Sequence, residues 1–573
     1  MQHLRRSVAI ILFACLAAGC GGSGGSALPA AQPPTSGTQA QQVELTINVP
    51  KSAVATKVRP HYISPSTQSM SVVVKQGAIT VLSQTANLTA TSAGCTSTLA
   101  STICTLTLSL SPGSYTASVT TYDQTGAAGN VLSSGQNVPF TVVAGANNFV
   151  PVALSGVPAS FTVTPQNTVT SGSYAHGFTI AGMQAQAFIV NALDADGNTI
   201  VGVGAPTLAV AMTSGSGWTI ANPTTTLPNT FTITPATTQN SSAALQITAS
   251  FSDSTCSLAG AVCTATFNVK NDLPTLFVAA CNATNGCGNG DAVLVYAPPY
   301  TGTPTTITSS IDGPAQLALD GSQNLYVANL YAGSVGAYAP PYTSAPYATL
   351  STGGLGVQVT PAGAVVLTRF IDGAGVFEYP SIFSSTSTVT LSSYTFNMAQ
   401  PALDASGNIW LQPIANTLAA YGPPSFNEVD ETSVPATTIE AFAISPAGEI
   451  YVAGTTLVAV GPVGGTLQSY TLPSGSAFGI TYDPSGNAIA ATTSGVVILN
   501  SSASLLKTIT SGVSIGTGAG GLACPQCVAV DNGYDIFVAN NNAQTVTIYK
   551  PPYASVAVSI PTGYTPEAVL LGP

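Results

Sequence analysis

Charge is what this chain lacks. Of 573 residues only 10 are Lys or Arg, 21 are Asp or Glu and 3 are His. So few cations leave no electrostatic footprint for phosphates, which excludes nucleic acid as a partner. The net charge of −11 is spread thinly and reads as an aid to solubility, not as a cation-binding patch. Helical periodicity is missing as well. Apolar residues recur in short runs punctuated by Gly and Pro, 56 and 40 in number, the pattern of strands and turns. A chain that is 45% hydrophobic and 5% charged buries ample apolar surface and must dress its exterior in Ser, Thr, Asn and Gly. That excludes the highly charged kind of disorder and suits extracellular β architecture.

The familiar catalytic motifs are absent too. There is no GxSxG elbow and no HExxH. His61 and His176 both precede Thr275, so the C-terminal half has no His for a Ser-His-Asp set. Gly516–Gly521 satisfies GxGxxG, but it leads from a Ser/Gly loop into a strand, with no helix to receive a phosphate. Asp194-Ala195-Asp196-Gly197-Asn198 imitates the start of a calcium loop. Its twelfth position is Ala205 and no helices flank it, so it reads as a strand-connecting turn. Asp320, Asp404, Asp483 and Asp531 likewise read as turn formers. The main carboxylates of this half outside the repeat turns, Asp312, Asp372, Glu378, Glu428, Asp430, Glu431, Glu440 and Glu567, single out no hydrolytic pair.

What the chain does have is a repeat. Gly313–Pro346 holds AQLALD, NLYVAN, SVGAYA and then ATL, short apolar runs parted by turns. The second run recurs as LFVA at Leu276, VVLT at Val365, IWLQ at Ile409, IYVA at Ile450, IAAT at Ile489 and IFVA at Ile536. A period near forty residues indicates a propeller built from four-stranded antiparallel units. Six copies carry a first strand ending in a turn: LDGSQN, VTPAGA, LDASGN, ISPAGE, YDPSGN and VDNGYD. The copy at Leu276 lacks its first strand, and the tail GYTPEAVLLGP matches it. The expectation is a seven-bladed ring closed by the C-terminal strand, which removes exposed sheet edges. LYVANLYAGSVGAY and IFVANNNAQTVTIYKPP resemble NHL, YVTN and virginiamycin-B-lyase-like propeller repeats over Thr275–Pro573. That resemblance implies a fold more than an activity. Lyase-type members use a His and acidic residues, often with a metal, and this half carries no His. The strand ends YAPPY at Tyr296 and Tyr338, YGPP at Tyr421 and YKPPY at Tyr549 read as ladder breaks with a packed Tyr ring, the alternative being a polyproline ligand.

Ahead of the propeller, Val43 to Pro158 and Ser160 to Lys270 alternate apolar and polar residues in short runs, which suggests two β-sandwiches. LSPGSYTASVTTYD resembles the closing hairpin of transthyretin-like modules, and DADGN resembles that of bacterial Ig-like repeats. Met1–Cys20 has Arg5 and Arg6, an apolar stretch too short to span, then Ala17-Ala18-Gly19 and Cys20. It resembles a bacterial lipoprotein signal with Cys20 as the lipidated residue, and Gly21 in place of Asp disfavours inner-membrane retention in a Gram-negative cell. The expected order is signal 1–19, tether 20–42, sandwiches 43–158 and 159–271, and propeller 272–573. The fold class expected is all-β.

Ten cysteines less Cys15 and Cys20 leave four couples: Cys95 with Cys104, Cys256 with Cys263, Cys281 with Cys287, and Cys524 with Cys527. An even count of local couples in an exported chain favours disulfides. A redox CxxC at Cys524 and a thiolate metal cage across the last two couples are the alternatives. If a ligand binds, the propeller loops offer Gln316, Asn329, Arg369, Gln400, Gln412, Glu440, Gln526, Asn540, Asn541, Asn542 and Glu567 as a rim for a glycan, a peptide or a partner protein. No cofactor and no catalytic set is implied. The leading function is an envelope binding or scaffold module joined to the membrane by its lipid. An extracytoplasmic propeller lyase or hydrolase is the alternative.

Cys20→Ser removes the only atom to which a thioether lipid can attach. It is expected to release the protein into soluble fractions, and partitioning with membranes in high salt would show that no lipid holds it.

Overall fold

The computed structural model describes residues 39–51, 62–224, 226–343, 345–352, 354–360, 362–369, 375–392, 401–423, 425–436, 438–517 and 524–572. The signal, Cys20, most of the tether, His61, Asp372 and Gln400 lie outside the described residues. What is described is almost entirely β, in eleven sheets, and its only helices are two short 3-10 turns. Among these residues no helix is long and apolar enough to cross a membrane.

Gln41–Pro50 shows why strands form here: Val43, Leu45, Ile47 and Val49 are buried while Glu44, Thr46 and Asn48 are exposed, the period of two that turns one face to a core. It lies in a four-stranded sheet opposite a five-stranded one, with a shared core of Met70, Val72, Val74, Tyr115 and Val119 among others. The run at Asn148 is a strand only over Asn148–Phe149, because Pro151 has no N–H to extend the ladder. The strand ahead of it spans Val131–Val142.

A second pair of sheets encloses Phe178, Phe188, Phe231 and Phe267. Phe188 stacks on Phe231 at 5.4 Å and Phe178 meets Phe188 edge-on at 5.4 Å, geometries that suit the ring quadrupole. Asp194 does form a turn: its Oδ1 accepts the N–H groups of Asp196 and Asn198 at 3.0 and 2.9 Å. Its Oδ2 accepts the Tyr62 hydroxyl at 2.7 Å, so the turn also joins the two pairs of sheets. The hairpin of Thr170–Ser173 with Gly177–Ala181 is an addition that its Ser/Gly sequence does not announce.

Seven four-stranded sheets follow. Sheet I joins Thr275–Asn282, Ala292–Tyr296 and Thr305–Ile307 to the C-terminal strand Tyr564–Gly572. Sheet II runs Pro314–Leu319, Leu325–Asn329, Ser334–Tyr338 and Ala348–Leu350. Sheets III to VII occupy 356–392, 402–433, 439–471, 477–509 and 528–561. Tyr564–Gly572 pairs antiparallel with Thr275–Asn282 along its length, Thr275 facing Gly572 and Asn282 facing Tyr564. This strand also touches the first strands of sheets II and VII.

The Pro-Pro-Tyr segments turn the chain and pin it. Tyr300, Tyr342 and Tyr553 adopt φ of 67°, 64° and 60°, and their hydroxyls donate to the carbonyls of Pro274, Gln323 and Tyr534 at 2.8, 2.7 and 2.9 Å. In sheets II and VII the acceptor lies in the turn between strands one and two. In sheet I, whose first strand comes from the far end of the chain, the acceptor is the incoming segment itself. Tyr338 and Tyr549 tie down the preceding loops through Ser309 and Ser511 at 2.7 Å each.

Deleting residues 564–573 strips sheet I of its first strand and bares its partner's backbone, at about 1–3 kcal/mol for each group left buried and unpaired. Calorimetry is expected to show the C-terminal transition falling sharply while the two sandwich cores melt as before. An unchanged melt would mean the pairing carries no stability. Tyr342→Phe, which removes one hydrogen bond to a turn, is expected to cost about 0.5–1.5 kcal/mol in denaturant unfolding.

Candidate functional site

The first strands of four of the seven sheets share a local distortion. In sheets I, II, V and VI one extra residue interrupts the register with strand two, at Glu567, Ala315, Glu440 and Phe478. A bulge re-aims the residue it carries. Gln526 takes the corresponding place before Val528 in sheet VII. Two carboxylates and an amide of the expected rim therefore occupy matching positions. Glu567 is buried, Glu440 half-buried, and burial holds the Glu440 carboxyl above the usual carboxylate range.

Several rim amides serve the fold. Gln526 Oε1 accepts the Leu317 N–H at 3.0 Å and its Nε2 donates to the Leu317 carbonyl at 2.9 Å, a two-point tie from sheet VII to sheet II. Gln316 Oε1 accepts the N–H of Val357 in sheet III at 2.6 Å. A Cβ at Gly356 would lie 2.6 Å from that oxygen, so glycine is what lets the Gln316 side chain pass. Asn329 and Asn540 end the second strands of their sheets, and their Oδ1 atoms accept the N–H of Asp312 and Ser514 at 3.1 and 2.8 Å. Asn541 grips the same loop through Gly516 and Thr517 at 2.7–3.1 Å. These Asn residues are loop clamps. Asn542 is exposed.

The remaining members differ. Arg369 closes strand two of sheet III with its guanidinium 4.4 Å over the Phe377 ring. Its Nε, Thr368 Oγ1, Glu378 Oε2 and Gln412 Oε1 are buried without a hydrogen-bond partner among the described residues. Such atoms cost free energy unless something answers them. Thr368 stands near the end of strand two of sheet III and Gln412 directly after strand two of sheet IV. Sequence reasoning named Arg369 and Gln412 but missed Thr368, which carries no signal beyond its place in the repeat.

All eight expected cysteines are joined locally, as an oxidising compartment permits. Cys95 is bonded to Cys104 and Cys256 to Cys263, each couple within one of the two N-terminal pairs of sheets. Cys281 is bonded to Cys287 in sheet I, and Cys524 to Cys527 just ahead of the first strand of sheet VII. No bond crosses between sheets, so the thiolate cage spanning the last two couples does not form. The redox alternative fares no better. Cys524 and Cys527 are both buried, out of reach of the partner thiol that exchange requires, and Cys527 leads into the strand Val528–Val530 instead of a helix. Cys281, Cys287 and Glu567 are the one group of three potential metal ligands among the described residues. Their two sulfurs are bonded to each other, and no thiolate remains to ligate.

No protein-family model matches this chain, and no curated protein matches it. Among solved structures it resembles a protein of unknown function from Desulfotomaculum acetoxidans, at 12% identity and a TM-score of 0.44, over 52% of this chain and 98% of that one. It also resembles a Lactobacillus plantarum protein, at 13% identity and a TM-score of 0.42, over 52% and 99%. A third is the β-propeller domain of Myceliophteria thermophila Cps50 (Swd1), at 10% identity and a TM-score of 0.35, over 49% and 95%. A β-propeller is thus among the structures it resembles, and the site is built on this chain's own pairings alone.

Gln526→Glu keeps the shape of the side chain but loses the N–H that reaches the Leu317 carbonyl and sets a carboxylate against it. It is expected to destabilise the C-terminal half by about 1–3 kcal/mol, and a neutral result in chemical denaturation would show the tie to be incidental.

Proposed function

We propose that the seven sheets form a seven-bladed propeller closed by Tyr564–Gly572, and that the chain is a lipid-anchored envelope protein presenting it on two β-sandwich spacers as a binding module. The ligand class is a glycan or a peptide, including a segment of a partner protein. The observation that carries this is the pair of matching bulge positions bearing Glu567 and Glu440, with orphaned polar atoms of Thr368, Arg369 and Gln412 in sheets III and IV. Hydroxyl and amide groups with one guanidinium and one or two carboxylates recognise hydroxyl- and amide-rich molecules. In the alternative, lyase or hydrolase chemistry turns on Glu440, whose raised pKa suits a general acid.

A glycan array and a pull-down from envelope extract, run with the mature chain and with a Glu440→Gln/Glu567→Gln variant, test this. Retention by the wild type that is lost in the variant is the expected result. Equal retention by both, or by neither, removes the site. Turnover of a retained glycan by the wild type alone would establish the enzymatic reading.

A further inference from the structure

The turns between strands one and two repeat one device. In sheets II, IV and VI an Asp opens the turn and an Asn stands four residues on: Asp320/Asn324, Asp404/Asn408 and Asp483/Asn487. The Asp Oδ1 accepts the turn's N–H groups, and Oδ2 accepts the Asn side-chain amide at 2.7–2.8 Å. Sheet VII breaks the rule. Asp531 Oδ1 accepts the N–H groups of Gly533 and Asp535 at 2.8 Å each, but the fifth residue is Asp535, a carboxyl where the others have an amide. Asp531 Oδ2 is left without a donor, as is Asp535 Oδ1. Both residues are deeply buried, at 7% and 0% exposure.

This turn is also where the C-terminal half meets the second sandwich. Gly182 packs against Gly533 so closely that a Cβ on Gly182 would lie 2.8 Å from the Gly533 Cα. The N–H of Met183 donates to Asp535 Oδ2 at 3.4 Å. Asp531, Asn532 and Asp272, the last residue of the sandwich strand Thr264–Asp272, line a cavity of about 350 Å³ with Pro274, Val530, Leu571 and Gly572. Two carboxylates, Asp531 and Asp272, thus line the junction cavity, while Asp535 stands behind Asp531 with Lys550 as the cation that acts on it.

We propose that this junction cavity binds a hard divalent cation of the calcium class through Asp531 and Asp272, with Asp535 adding the charge that replaces the missing amide. Calcium takes carboxylate, carbonyl and amide oxygens in adaptable geometry, and Asp531, Asp272 and Asn532 offer such atoms around one space. A shared proton would neutralise the pair alone and leave Asp272 and the cavity unused. The bound cation bridges the sandwich strand and the propeller turn and so locks the two together. The thin acidic excess of the whole chain hides this one local concentration.

The test uses the mature full-length protein stripped of metal. Calcium titrated into the wild type is expected to give a saturable isotherm near one equivalent and to raise the melting temperature by several degrees. Asp535→Asn restores the amide of the sister turns, so the metal-free variant should melt at or above the wild type while its calcium response falls by about tenfold or more, as loss of a carboxylate does in oxygen sites. Asp272→Asn should weaken binding and leave the turn intact. No isotherm and no calcium-dependent melt in the wild type at millimolar calcium overturns the proposal. So does a wild-type melt that ignores calcium but falls as pH rises from 5 to 8 and is flat in Asp535→Asn. Burial raises the carboxyl pKa of both residues, and repulsion from Asp535 raises that of Asp531 further. A stabilising proton is therefore lost as pH rises through the folded values, and that outcome assigns the pair to a shared proton. Asp272, Lys550, Tyr300 and Tyr553 are the other titratable groups facing it.

Discussion

The C-terminal half depends on one pairing, that of Tyr564–Gly572 with Thr275–Asn282. Each of the other six sheets takes its four strands from one continuous stretch, and only sheet I is assembled from both ends. Its contacts reach the sheets on either side. The hydrophobic cluster that contains Leu276 and Val569 also contains Val538 and Ile548 of sheet VII and Ile489 of sheet VI. Separating the strand from its partner therefore opens a core shared by several sheets, and the loss extends beyond one ladder.

Polar ties between sheets accompany that pairing. Gln526 reaches from sheet VII to Leu317, Gln316 from sheet II to Val357, and Asn329 and Asn540 hold the loops that lead into their own sheets. Buried amides used in this way fix register and spacing where apolar packing alone tolerates slippage. They also narrow the choice of residues left to meet a ligand, which falls to the carboxylates on the bulges and to the orphaned groups of sheets III and IV.

Much of this was legible in the sequence. LYVAN, IFVAN and their relatives alternate with turn signals clearly enough to give the strands, and the match of GYTPEAVLLGP to the missing first strand gave the pairing of Tyr564–Gly572 in sheet I. The short spacings of Cys95 to Cys104, Cys256 to Cys263, Cys281 to Cys287 and Cys524 to Cys527 gave the disulfides. What escaped were features that pattern does not encode. Thr170–Ser173 is too rich in Ser and Gly to alternate, and Pro151 cut short a run that looked apolar. Gln316 and Gln526 look like rim amides until their backbone partners are seen, since hydrogen bonds across hundreds of residues leave no local trace. The signal for Asp535 was present, in VDNGYD beside LDGSQN and YDPSGN, but a missing amide matters only once the turn is known to be buried.

The contact of Gly182 with Gly533 sets how the second sandwich and the C-terminal half can be oriented. Two residues without side chains touch backbone to backbone, flanked by the Met183 bond to Asp535 and by the hydroxyl of Tyr534 between Thr168 and Ser485. A side chain at either position would meet the opposing backbone, at 2.8 Å from Gly182 and 2.3 Å from Gly533. The angle at which the two parts meet is therefore written in two residues that must stay bare.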